Sequence, residues 1–138
     1  MYNVEDKRGV VMEVNEVSSL ALAFVGDAHY STMVREYLVM KTHDKTNKLQ
    51  RLSTRYVSAK AQASIMCELL NRQLLTDEEI DIYKRGRNTK SNSVPKNTDV
   101  QTYHIATGFE ALWGYWYLSK ENERLEQIWN VIRTIVEE

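Results

Sequence analysis

Apolar residues recur along this chain at steps of three and four, the period of helices packed on one side. Leu20, Phe24, Asp27, Tyr30, Val34 and Tyr37 follow that spacing and predict a first long helix over 19–40, with Asp27 on its inward stripe. After the polar connector KTHDKTN, Leu49, Leu52, Tyr56, Ala59, Ala63, Met66 and Leu70 continue in unbroken 3,4 alternation, which predicts one second helix with a buried seam. The small Ala59 and Ala63 would let another helix come close. Thr76-Asp77-Glu78-Glu79 has the form of a capping box and announces a short third helix, with acids at its start and Lys84 and Arg85 at its end as the helix dipole favours. Thr98-Asp99-Val100-Gln101 repeats that pattern before a fourth helix through YHIATGFEALWGYWYL, and Leu125, Ile128, Trp129, Ile132 and Ile135 mark a last helix from about Asn122. Period-two runs are few, so the expected class is all-α: five helices in a single domain over 1–138.

Composition agrees with a folded domain. The chain has 138 residues, 43% hydrophobic and 27% charged, enough apolar material for one self-contained core. No stretch approaches ~18 uninterrupted apolar residues, and the N-terminus mixes acids with bases, so neither a membrane span nor a signal peptide is expected. Cys67, a lone cysteine, has no disulfide partner, which fits a reducing cytoplasm and a role as a small packed residue. Charge is distributed unevenly. KRGRNTKSNSVPKNT carries Lys84, Arg85, Arg87, Lys90 and Lys96 and no acid, leaving the rest of the chain at −6 against an overall −1. With Gly86, Pro95 and several Asn and Ser residues, that stretch reads as a basic loop suited to phosphate contact.

Two acids break the helical pattern. Asp27 lies on an apolar stripe directly after Gly26, and Glu110 has Ala106, Thr107, Trp113, Gly114 and Tyr117 at helical-neighbour spacings. An ionised carboxylate taken out of water without a partner costs several kcal/mol, and neither stripe offers a lysine or arginine. Each acid could be satisfied by a tyrosine hydroxyl, with Tyr30, Tyr103 and Tyr117 available, by a backbone donor or by buried water. Alternatively, the two could face each other across a hydrated cleft and hold Mg²⁺, which takes one or two carboxylates together with waters and substrate phosphate oxygens.

The segments ALAFVGDAHY and GFEALWGYWYL resemble the paired signature helices of the ribonuclease III catalytic domain, where a Phe-aliphatic-Gly-Asp-Ala motif meets an E-A-L-x-G motif. RLSTRYVSAKAQA and GRNTKSNSVPKNTDVQTY resemble more particularly its short Mini-ribonuclease III branch, and the likeness runs from about Leu20 to Leu118. The resemblance implies a ribonuclease III-like helical bundle without an appended double-stranded-RNA-binding domain. It also implies an endoribonuclease that cuts double-stranded RNA to leave 5′-phosphate and 3′-hydroxyl ends. Asp27 and Glu110 would be the catalytic metal ligands, with Mg²⁺ as cofactor and Mn²⁺ as a substitute.

The larger ribonuclease III enzymes carry two further ligands at positions that are Ala23 and Thr107 here, a reduction that the short branch shares. The resemblance further implies a homodimer, for which Trp113, Trp116 and Trp129 offer apolar surface. Its expected substrate is precursor ribosomal RNA, trimmed at the paired ends of the large-subunit (23S) precursor in the company of ribosomal proteins, with no role for DNA or membrane. RNA contacts are expected from Lys60, Lys84, Arg85, Arg87, Lys90 and Lys96. Two rivals stand beside this reading: an RNA-binding or ribosome-assembly factor of the same fold without chemistry, and an HD-type metal phosphohydrolase using His43-Asp44 with His29.

Overall fold

A short antiparallel hairpin, β1 (Asn3–Glu5) and β2 (Val11–Glu13), pairs Val4 with Met12 and leads through one 3-10 turn (Val14–Glu16) into six helices. These are α1 (Ser19–Thr42), α2 (Thr46–Val57), α3 (Ala59–Asn71), α4 (Asp77–Arg87), α5 (Val100–Leu118) and α6 (Asn122–Glu137). The computed structural model describes residues 3–5, 11–89 and 94–138. The all-α class holds, and the hairpin is the strand pairing among the described residues.

The predicted second helix is two helices. The 3,4 alternation runs through Ser58, but Ser58 adopts an extended backbone and its hydroxyl accepts from Ala61 N at 3.1 Å, ending α2 and capping α3. A serine hydroxyl can replace a helical carbonyl as partner for a free N–H, so the chain turns a corner without breaking the apolar spacing. At α4 the capping box forms as expected: Glu79 N donates to Thr76 Oγ1 at 3.1 Å and Thr76 N donates to Glu79 Oε1 at 2.9 Å. At α5 the cap is Asp99 alone, whose Oδ2 accepts from Thr102 N at 3.0 Å, rather than a Thr98–Gln101 box.

Helix α5 lies at the centre, with α1, α3 and α4 packed around it. Its partner faces are set by glycine. A Cβ at Gly26 would stand 1.9 Å from the Glu110 carbonyl oxygen, and one at Gly114 would stand 1.9 Å from that of Leu22, so α1 and α5 touch backbone to backbone. This close approach explains why α1 keeps a mid-helix glycine despite its cost of ~1 kcal/mol relative to alanine. On the α4 side, a Cβ at Gly86 would meet Ala111 Cβ at 2.7 Å and Gly108 Cα at 3.0 Å.

The glycine contact also rotates α1 away from the predicted orientation. Its buried residues are Leu22, Ala23, Gly26, Tyr30, Val34 and Leu38, whereas Leu20 and Phe24 are 44% and 82% exposed. The first half of α1 is apolar nearly all round, so spacing alone did not select a face. Trp113, Trp116 and Trp129 are core residues, edge-on to Tyr30, Tyr37 or one another, and supply no surplus surface. Cys67 is exposed rather than packed.

Candidate active site

Where α1 and α5 touch, Asp27 and Glu110 come together. Asp27 follows Gly26 by one residue and so stands at the margin of the contact, exposed to solvent rather than buried as the stripe suggested. Glu110, whose own carbonyl faces Gly26, is half-buried and in hydrogen-bonding reach of Asp27. Loss of solvent and then the neighbouring Asp27 push the Glu110 carboxyl up to about 8, against a hydrogen bond from Gln62 that favours its ionised form.

Of the three tyrosines that the sequence offered as partners, Tyr30 is committed elsewhere. The Tyr30 hydroxyl donates to the Tyr56 carbonyl at 3.0 Å. The polar side chain that reaches Glu110 is Gln62 of α3, whose Nε2 donates to Glu110 Oε2 at 3.2 Å and to the Val57 carbonyl at 3.0 Å. Gln62 is 2% exposed and shares the 3,4 spacing of Ile65, Met66 and Leu69. That polar residue in an apolar row is the signal for it in the sequence.

Two acids held together ionise jointly only at a cost, which a cation bound beside them would offset. Oxygen donors of this kind suit a hard divalent cation. Among the described residues no three His, Cys, Asp or Glu side chains converge, so any cation bound here would take most of its ligands from outside the chain.

A family profile described as the ribonuclease III domain matches residues 20–121. Mini-ribonuclease 3 of Enterococcus faecalis is 52% identical over 118 residues, covering 86% of this chain and 89% of the relative. Mini-ribonuclease 3 of Staphylococcus aureus is 50% identical over 122 residues, covering 88% and 91%. The crystal structure of a Fusobacterium nucleatum protein superposes with a TM-score of 0.76 at 31% identity, over 88% of this chain and 95% of that one. The chain belongs to the ribonuclease III family, in its Mini-ribonuclease 3 branch. It is an endoribonuclease, of a family whose chemistry depends on a divalent metal.

The positions where larger ribonuclease III enzymes carry further acids are closed to that role here. Ala23 is buried at the α1–α5 contact, and the Thr107 hydroxyl donates to the Tyr103 carbonyl at 2.9 Å. His29 sits one turn along α1 from Gly26. Its Nδ1 accepts from Trp113 Nε1 at 3.0 Å and its ring stacks on Tyr117 at 4.1 Å. Burial lowers its pKa against the opposing pull of Glu36. His43 caps the end of α1 in the left-handed region with φ 53°, and Asp44 pairs with Lys48 at 3.6 Å. The HD arrangement is therefore not assembled: His29 is committed to Trp113, and His43 and Asp44 lie in the connector between α1 and α2.

The basic residues occupy three places. Lys84, Arg85 and Arg87 belong to the last turn of α4 rather than to a loop. Arg85 pairs with Asp81 at 3.4 Å, while Arg87 lies over the Tyr83 ring at 5.5 Å and donates to Asn88 Oδ1 at 3.1 Å. Between this end of α4 and the start of α5 opens a cleft of about 630 Å³ whose polar lining is Arg87, Asn88, Asp99, Gln101 and His104. Lys96 is exposed in the turn before α5, and Lys60 is exposed on the first turn of α3. Lys90 lies outside the described residues.

Proposed function

We propose that this protein is a Mg²⁺-dependent endoribonuclease of double-stranded RNA that works as a homodimer. The observation that carries the reading is the Asp27–Glu110 pair at the α1–α5 contact, beside which no lysine or arginine stands among the described residues. Both carboxylates would hold Mg²⁺, with Mn²⁺ as a substitute. When bound, the cation supplies charge compensation for in-line displacement at phosphorus. Asp27, on the exposed side of the pair, faces the substrate; Glu110, anchored by Gln62, fixes the inner side. In the displacement a water oxygen bonds to phosphorus, the bond to the 3′ oxygen breaks, and that oxygen takes a proton. The products carry 5′-phosphate and 3′-hydroxyl ends.

A-form RNA is recognised by shape and by phosphate and 2′-hydroxyl contacts, and the end of α4 is placed for this. Gly86 sits against Gly108, with the Thr107 carbonyl 3.5 Å from where its Cβ would stand, so Lys84, Arg85 and Arg87 flank the stretch of α5 one turn before Glu110. Lys60, Lys90 and Lys96 complete the proposed contact set. Leu20 and Phe24 of α1 and Tyr117 of α5 expose apolar surface, and a second copy of this chain is the occupant proposed for it, in place of the tryptophan surface expected from the sequence. The branch resemblance supports precursor large-subunit (23S) ribosomal RNA as the substrate, in the cytoplasm and among ribosomal proteins.

Incubating purified protein with a long labelled RNA duplex, in Mg²⁺ or chelator, tests this reading beside the Glu110→Gln variant. Discrete Mg²⁺-dependent products that the variant does not form are the expected result. Binding without scission in any divalent metal would overturn it in favour of an assembly factor. For the dimer, Phe24→Asp should convert a two-chain species to a single chain by light scattering.

A further inference from the structure

Gln62 is a buried amide whose surroundings define its orientation. Its Nε2 has two hydrogens, and each has an acceptor: the Val57 carbonyl at 3.0 Å and Glu110 Oε2 at 3.2 Å. The first acceptor exists because of the corner at Ser58. Val57 is the last residue of α2, where carbonyls lose their helical partners, and the Gln62 amide takes up this one from the first turns of α3. With Nε2 held between two oxygens, a flipped amide would set Oε1 against both acceptors, so the direction of the bond to Glu110 is fixed. Oε1 is buried and has no protein partner.

Resting on the reading of Asp27 and Glu110 as the metal-holding pair, we propose that Gln62 is a positioning residue of the active site, tying Glu110 to the α2–α3 corner. Three helices then meet at one carboxylate. Helix α1 brings Asp27 by the glycine contact, α5 carries Glu110, and α3 holds the Glu110 carboxylate in orientation through Gln62. Glutamine suits this role because it carries two donors on one nitrogen; glutamate at the same place would direct a further negative oxygen at Glu110 and at the Val57 carbonyl. Partners that orient a metal ligand in this way are typically worth about 10–100-fold in affinity or activity.

The test measures Mn²⁺ binding to the protein without RNA by electron paramagnetic resonance, together with duplex cleavage, for wild type, Gln62→Met and Glu110→Gln. Methionine keeps the length and unbranched shape of glutamine and removes both donors. The expected result is Mn²⁺ affinity and kcat each lower by about 10–100-fold in Gln62→Met, with duplex affinity in chelator unchanged. A Gln62→Met protein that binds Mn²⁺ and cleaves like wild type while Glu110→Gln does neither overturns the role of Gln62 and leaves the site reading standing. Wild-type Mn²⁺ binding and cleavage in Glu110→Gln would instead overturn the site reading itself. A lower Tm in Gln62→Met with wild-type Mn²⁺ affinity assigns the residue to packing and also overturns the proposal. A readout on the unaltered protein does not depend on how the variant folds: the Gln62 side-chain amide signal in a ¹⁵N spectrum should shift as Mg²⁺ is titrated, and a stationary signal at saturation overturns the positioning role.

Discussion

Glu79 on α4 and Glu110 on α5 are both drawn away from water on neighbouring helices, yet their surroundings do opposite things to them. Burial alone would raise Glu79. It is outweighed by Arg124, which donates to both carboxylate oxygens at 2.7 and 2.9 Å, by the Thr76 backbone N–H, and by Trp116 Nε1 at 2.8 Å, so the group stays below the usual glutamate value. Around Glu110 burial is reinforced by a second acid, and one amide offsets it incompletely. Glu79 is an acid whose charge the protein has already neutralised, closing α4 onto α6. Glu110 is an acid that its surroundings hold in the neutral form up to about pH 8. Partial burial is common to both, and the partner set separates a structural carboxylate from one available for chemistry.

Exchanging the carboxylates for amides should break the comparison most visibly. Glu110→Gln is expected to abolish cleavage, exceeding the ~100-fold ceiling of an outer-shell loss, while leaving the fold intact. Glu79→Gln should leave the chemistry in place but cost about 3 kcal/mol of stability, because Arg124 loses its charge partner in a poorly solvated place; urea denaturation reads this directly. A comparable loss, about 3 kcal/mol or more, is expected for Gly26→Ala, whose Cβ has no space beside the Glu110 carbonyl.

The pH dependences should run in opposite directions. Glu110 has a folded-state pKa of about 8 against an ordinary 4.5, so its contribution favours folding below 4.5 and is lost as pH rises through 8. Glu79 is shifted down, so its contribution is present above 4.5 and is lost as pH falls through the lowered value. In chelator at pH 9, Glu110→Gln should therefore melt higher than wild type, by about 5 °C, with the gap closing toward pH 5. Saturating Mg²⁺ at pH 8 should raise the Tm of wild type and not that of the variant. The smallest effect is expected at the basic end of α4: replacing Arg87 by alanine should lower the salt slope of duplex binding by about 1 without changing the cleavage pattern.

The spacing of apolar residues determined that this chain is helical, where most of its helices begin, and that Glu110 is exceptional, because those properties depend on neighbours within a few turns; its placing of Asp27 on the inward stripe did not hold. The motifs around both acids carried the family. Local spacing could not decide which face of α1 turns inward, since Leu20, Leu22, Ala23 and Phe24 are all apolar; backbone contact between Gly26 and Gly114 decided it, burying Leu22 and leaving Phe24 outside. Nor could it show the corner at Ser58, where a hydroxyl replaces a helical carbonyl without disturbing the apolar row. Gln62 depended on both: its place beside Glu110 follows from how α3 meets α5 after that corner, a relation between residues 48 positions apart. Glu79 and Glu110 look alike in sequence for the same reason, because Arg124 and Asp27, which set their charges apart, reach them through packed helices rather than along the chain.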